Sequence, residues 1–127
     1  MKRPSRNSIF LAVTCLAAGV AAVEVNARIR EYIVRLIEAT RDPALHRMPD
    51  LAPLLEYGAS PRASVFMARA AQAYAFIHGR AYVLPDDVKA IAPDVLRHRV
   101  LTTYEAEAEE VTSDDVVQKI LASIESP

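Results

Sequence analysis

The sequence predicts an all-α fold: a small helical bundle with at most a minimal two-stranded β pairing. Half of the 127 residues are apolar (52%), supplied chiefly by Ala, Val, Ile and Leu, while Trp is absent and Gly occurs only three times. That composition suits helices better than a strand-rich sheet. Apolar residues recur at helical spacing, as Ile29, Tyr32, Ile33, Leu36 and Ile37 do, which is the stripe of a helix with one buried face. Boundary residues stand where such stripes begin and end, among them Asn26, Pro61, Gly79 and Thr112. The length fits one domain with a modest core.

Residues 1–23 form an apolar leader. Lys2, Arg3 and Arg6 precede an apolar stretch, Ile9 to Ala22, broken only by Thr14 and Gly19, and Val20-Ala21-Ala22 offers a small-residue cleavage site. The pattern fits a secretory signal. It equally fits an extra helix packed on the domain of residues 24–127, or a leader joined to the tail of a longer protein. The stretch is too short for a convincing membrane span, and Thr14 before Cys15 is a poor lipidation sequence. Apolar surface on residues 9–22 predicts self-association of the chain.

Asn26 caps a first amphipathic helix that ends near Thr40. Residues 42–57, with Pro43, Pro49 and Pro53, read as an irregular connection long enough to suggest a function or an additional contact. An alanine-rich helix runs from Pro61 to about His78, with Ala63, Phe66, Met67, Ala70, Ala71, Tyr74 and Ile77 as a broad apolar face, and Gly79 stops it. Tyr82-Val83 is a candidate short strand facing Val100-Leu101. Pro85-Asp86-Asp87 opens a third helix, although Leu84 stands where a capping side chain is expected, a loss of about 1 kcal/mol. Its apolar face (Val88, Ile91, Ala92, Val95, Leu96) continues through Pro93. Proline disrupts a helix interior, which predicts a break at Ala92-Pro93 and a short further helix to about His98. Glu105, Glu107, Glu109 and Glu110 read as solvated loop. Thr112 and Asp115 have capping-box spacing and start the last helix, carrying Val116, Val117, Ile120, Leu121 and Ile124.

The functional signal is Gly58-Ala59-Ser60-Pro61-Arg62-Ala63. Gly58 permits backbone angles that other residues avoid, Ser60 can cap orphan N–H groups, and Pro61 suits the first helical position. Arg62, flanked by Ser60 and Ala63, then lies at a helix start, where backbone donors and the dipole favour phosphate and a guanidinium can bind it bidentately. A capped helix start with a solvated arginine is the plainer reading of the same residues. Arg97, His98 and Arg99 are similarly open between helix-end stabilisation and a ligand role. A net charge of -1 without a basic stripe argues against nucleic acid. His46, His78 and His98 lack metal-ligand spacing, and Cys15 is alone, so neither a metal site nor a disulfide is expected. There is no G-x-x-x-x-G-K-[ST] loop and no Ser/His/Asp set in motif context. No catalysis is expected of this chain alone.

Four blocks occur in a recognisable order: Tyr32-Ile33-Val34-Arg35-Leu36-Ile37-Glu38-Ala39-Thr40-Arg41, then Gly58 to Ala63, then Gly79-Arg80-Ala81-Tyr82-Val83-Leu84-Pro85-Asp86-Asp87-Val88, then Val95-Leu96-Arg97-His98-Arg99. Together they resemble the C-terminal lid domain of the MoxR family of AAA+ ATPases over residues 25–126. The resemblance implies a helical lid beside an upstream α/β core that carries the Walker motifs and holds ATP and Mg²⁺. It implies ring oligomers, chaperone-like remodelling of a client, and a cytoplasmic setting. Arg62 matches the position called sensor 2, which contacts the nucleotide phosphates. Leu84 departs from a usual small hydroxyl residue and Ala81 from a usual acid, and residues 1–23 have no recognised counterpart in the lid. The other reading is an exported, secreted or periplasmic, helical binding module that retains the lid fold.

Overall fold

Side-chain caps encoded locally set most of the helix starts. The computed structural model describes residues 3–127, so Met1 and Lys2, the latter part of the leader's basic start, lie outside the described residues. In chain order the described residues form α1 (Arg6–Ala21), α2 (Ala27–Arg41), two 3-10 helices (Pro43–His46 and Pro49–Leu54), β1 (Leu55–Tyr57), α3 (Arg62–Ile77), α4 (Pro85–Leu96), β2 (Leu101–Thr102), α5 (Tyr104–Ala108) and α6 (Ser113–Ser123). This is the expected all-α bundle with a single two-stranded pairing.

Asn26 Oδ1 accepts the Ile29 amide at 2.9 Å and starts α2. Thr112 and Asp115 exchange side-chain bonds to each other's amides, at 3.2 and 2.9 Å, and start α6. Gly79 takes a left-handed φ of 73° and ends α3, with the Arg80 amide turning back to the Ala75 carbonyl. The core gathers Ile29, Tyr32, Ile33, Leu36 and Ile37 of α2 against Met67, Val88, Leu96, Val116 and Ile120.

The row of α3 that is buried is narrower than predicted. Ala63, Met67, Ala71 and Ala75 are buried at strict four-residue spacing, and α3 makes its most extensive packing with α4. Phe66 and Ile77, placed by periodicity on the apolar face, are 49% and 79% exposed. Three alanines in the buried row leave room for close helix approach, so the neighbouring row is left outside.

Four local expectations are corrected. Pro93 does not break α4, which runs unbroken from Pro85 to Leu96, and no separate helix reaches His98. Burying Val88 and Leu96 completely is worth about 1.5–3 kcal/mol each, enough to offset the ~3 kcal/mol of an interior proline. The strand partners differ from Tyr82-Val83 with Val100-Leu101: Leu55 pairs with Thr102 and Tyr57 with Leu101. Tyr82 instead bridges Glu24 in parallel, with the Val83 amide donating to the Glu24 carbonyl at 2.9 Å. The connection 42–57 is largely ordered as 3-10 turns followed by β1. The acidic stretch is partly helical: Thr103 caps α5 and Ala106 is buried, while its glutamates face solvent.

The leader forms α1, none of whose residues is buried. Its C-terminal end meets α3, where a Cβ on Gly19 would stand 2.8 Å from the Phe76 ring. Ile9, Phe10, Leu11, Val13 and Leu16 are exposed. No helix among the described residues is long and apolar enough to cross a membrane.

Candidate phosphate-facing site at the start of α3

The loop before α3 is locked onto the end of α2. A Cβ on Gly58 would lie 2.2 Å from the Thr40 carbonyl oxygen and 2.7 Å from Arg41 Cα. Gly58 is therefore required for close backbone approach. It does not use the left-handed backbone freedom expected of it, since Gly79 is the glycine with positive φ. The next residue completes the lock. The buried Thr40 hydroxyl donates to the Ile37 carbonyl at 2.6 Å and accepts the Ala59 amide at 3.0 Å. Thr40→Val keeps the volume but leaves a buried Ala59 N–H unpaired. It is expected to cost about 1–3 kcal/mol, read as a lowered urea midpoint with an unchanged m-value.

Beyond the lock, Ser60 contributes through its backbone. The residue flanking α3 is Pro61, and no side chain caps the helix. The Ser60 carbonyl accepts the Ala63 amide at 2.9 Å. The Pro61 carbonyl accepts both the amide of Ser64, at 3.2 Å, and its hydroxyl, at 2.6 Å. The Ser60 hydroxyl thus does not cap, because the tight turn lets carbonyls of the loop take the first amides. Ala63 is buried with its N–H engaged, which leaves the Ser60 hydroxyl and the Arg62 guanidinium as the exposed polar groups of the turn.

Arg62 occupies the first position of the 16-residue α3 and is exposed. None of the ion pairs among the described residues involves it. A helix start with a projecting guanidinium is suited to an anion. Arg41, which spacing alone did not single out, borders both shallow clefts that flank this turn. One is shared with Tyr57, Gly58 and Ser60 and the other with Pro61 and Ser64. Its proximity arises only when Gly58 folds onto the end of α2.

The second arginine cluster divides by role. Arg97 binds Asp114 at 2.8 Å and Asp94 at 3.3 Å, and the hydrogen bond to Asp114 holds its guanidinium above its ordinary pKa. Arg99 donates to the Val95 carbonyl at 2.7 Å and lies over the Phe66 ring, 5.0 Å from its centroid. His46 lies 3.8 Å from Glu38, and His78 stacks on Tyr74 with ring centroids 4.3 Å apart. Among the described residues no three His, Cys, Asp or Glu side chains gather as metal ligands.

The family model described as the AAA lid domain matches residues 50–120, more than half of the chain and including the whole Gly58–Ala63 turn. The chain belongs to the AAA lid domain family. Within that family this lid is of the MoxR type. It is 42% identical over 97 residues to the chaperone MoxR1 of Mycobacterium tuberculosis, covering 76% of this chain and 26% of that protein. It is 33% identical over 112 residues to the protein MoxR of Methylorubrum extorquens, covering 84% of this chain and 32% of that one. The lid thus spans between a quarter and a third of these relatives. A crystal structure of a protein assigned as an ATPase from Cytophaga hutchinsonii superposes on the whole lid chain and on 45% of its own, with a TM-score of 0.83 at 28% identity. That superposition includes α1, the segment for which the sequence blocks offered no counterpart.

Proposed function

We propose that this lid senses nucleotide for a MoxR-type ATPase, with Arg62 in the sensor 2 position reading the phosphates. The observation that carries the reading is the placement of an exposed, unpaired arginine at the first position of α3 by a turn locked onto α2. ATP and Mg²⁺ would be held by a nucleotide-binding core, in the same polypeptide or in a partner, since these 127 residues contain no Walker motif. The guanidinium can take two phosphate oxygens at once. A pull on Arg62 would pass through Pro61 and Ala59 to Thr40, so that phosphate release lets α2 and α3 move together as one body against the core. Neighbouring subunits of a ring and a client protein are the remaining partners of this reading, in the cytoplasm, without nucleic acid. The chain would bind nucleotide weakly and hydrolyse none by itself.

Titration of the purified chain with ATP tests the first part. Weak binding that Arg62→Ala abolishes supports it, whereas ATP hydrolysis at a rate indifferent to Arg62→Ala contradicts it. Residues 24–127 make up the lid proper in this reading, and α1 packs on it as an extra helix, supported by the Gly19–Phe76 contact and the superposition over the whole chain. That α1 buries no residue favours the exported binding module instead. Mass spectrometry of the native protein separates the two: an intact start in the cytosolic fraction supports the lid, and loss of the first 22 residues supports export.

A further inference from the structure

The packing of α3 on α4 brings Arg99 to the face of α3 that carries Arg62. Phe66 follows Arg62 by one turn, about 6 Å along the helix, and so shares its face. The Arg99 guanidinium lies over the Phe66 ring, 5.0 Å from its centroid, while Nη1 donates to the Val95 carbonyl at 2.7 Å. Arg62 and Arg99 are both exposed, and neither joins an ion pair among the described residues. Arg80 and Arg97, which meet the two ends of α4, differ in this respect. Arg80 binds Asp87, and Arg97 binds Asp94 and Asp114. Each of those charges is answered within the chain, whereas those of Arg62 and Arg99 are not.

We propose that Arg99 is a second phosphate-contacting residue, held beside Arg62 so that the two guanidiniums take one polyphosphate chain between them. This assignment rests on the sensor reading of Arg62 and adds a residue to it. Neighbouring cations without an acid repel one another, and an anion placed between them relieves the repulsion. The two arginines contribute differently. The Val95 carbonyl and the Phe66 ring fix the Arg99 fork in place, so little side-chain freedom is lost when phosphate binds. The bond to Val95 uses one N–H, which leaves the remainder of the planar fork for an incoming acceptor. An aromatic face neutralises none of the charge, so Arg99 stays a full cation. Arg62, without an ion pair, closes on the ligand from the neighbouring turn. Two forks are best served by oxygens of adjoining phosphates, which favours a nucleoside di- or triphosphate over a monophosphate. Of the cluster Arg97, His98 and Arg99, Arg97 thus stabilises the helix end and Arg99 takes the ligand.

Nuclear magnetic resonance of the full chain at low salt, titrated with inorganic tripolyphosphate, ATP or AMP, tests the assignment. The Arg99 Nε–H signal of the wild type is expected to move with tripolyphosphate and ATP, and much less with AMP. Arg99→Ala is expected to weaken tripolyphosphate binding about tenfold, and Arg99→Lys less, because the charge remains without the fork. Phe66→Leu keeps an apolar side chain but removes the ring that holds the fork, for a loss of about threefold. Arg30→Ala takes the same charge from exposed, unpaired Arg30 near the far end of α2 and is expected to leave binding nearly unchanged. Arg62→Ala separates this assignment from the reading beneath it. Binding lost with Arg62→Ala but unchanged with Arg99→Ala, with a still Arg99 signal, overturns the role of Arg99 and leaves the sensor reading standing. Binding lost with Arg99→Ala but not with Arg62→Ala overturns the pairing of the two. A wild type that binds neither tripolyphosphate nor ATP overturns both. Equal losses from Arg30→Ala and Arg99→Ala would mean attraction by net charge alone, which also overturns the assignment.

Discussion

Gly58→Ala is expected to unfold the chain about 10 °C or more below the wild type, a loss of ~3 kcal/mol at the upper end for overpacking. The added methyl would have to occupy space 2.2 Å from a backbone oxygen and 2.7 Å from a backbone carbon. Neither atom can rotate away as a side-chain tip can. Relief requires the loop to lift from α2, which breaks the Ala59–Thr40 hydrogen bond and moves the Ser60–Arg62 turn. Gly79→Ala provides the contrast: nothing lies within 4 Å of its added Cβ, and only the φ of 73° opposes it, at a cost near 1 kcal/mol. Thermal melts followed by circular dichroism rank the two. Equal effects would mean that the loop does not rest on Thr40.

Asp87→Ala is expected to cost about 2–4 kcal/mol, seen as a lower urea midpoint at neutral pH. Asp87 is 1% exposed. It accepts the Leu84 amide at 2.7 Å and binds both terminal nitrogens of Arg80, one of them at 2.5 Å. It thereby performs the capping that Leu84 cannot, and ties the end of α3 to the start of α4. Burial pushes its carboxyl up, but the Arg80 guanidinium and the Leu84 amide outweigh burial and hold it below the ordinary 3.8. A depressed folded pKa means that this stabilisation is present above the unfolded pKa and is lost as pH falls through the folded one. The wild type should therefore keep its advantage over Asp87→Ala at pH 7 and lose it progressively as pH falls below the ordinary carboxylate range. Asp50 and Asp115, also held low by Lys119 and by Thr112 respectively, titrate in both proteins and leave that difference intact.

Where the decisive interaction was local, it was legible in the sequence. The Asn26 cap, the Thr112–Asp115 box, the Gly79 stop and the α2 stripe each depend on residues within one or two turns. What escaped depends on partners distant in sequence. Gly58 is required by Thr40 and Arg41, eighteen and seventeen residues earlier, so its sequence context suggests conformational freedom when the reason is space. Strand pairing across Leu55 and Thr102 has no local signature. Phe66 and Ile77 satisfy helical periodicity, yet the alanine row beside them takes the buried side. The cost of Pro93 is visible in the sequence, whereas the burial of Val88 and Leu96 that compensates it exists only in the fold. At the candidate turn, the placement of Arg62 at a helix start is legible from its motif, whereas Arg41 comes beside the turn only through the fold, and backbone carbonyls take the capping role from the Ser60 hydroxyl.

The most direct test of the central claim exchanges lids. Residues 24–127 would replace the lid of the chaperone MoxR1 from Mycobacterium tuberculosis, and the ATP hydrolysis rate of the chimera would be compared with that of its Arg62→Ala and Arg62→Lys forms. Loss of one preorganised charged donor at a reacting phosphate predicts a fall on the order of 100-fold for alanine, with lysine between, because it keeps the charge but not the bidentate fork. An active chimera whose rate is unchanged by Arg62→Ala would contradict the account.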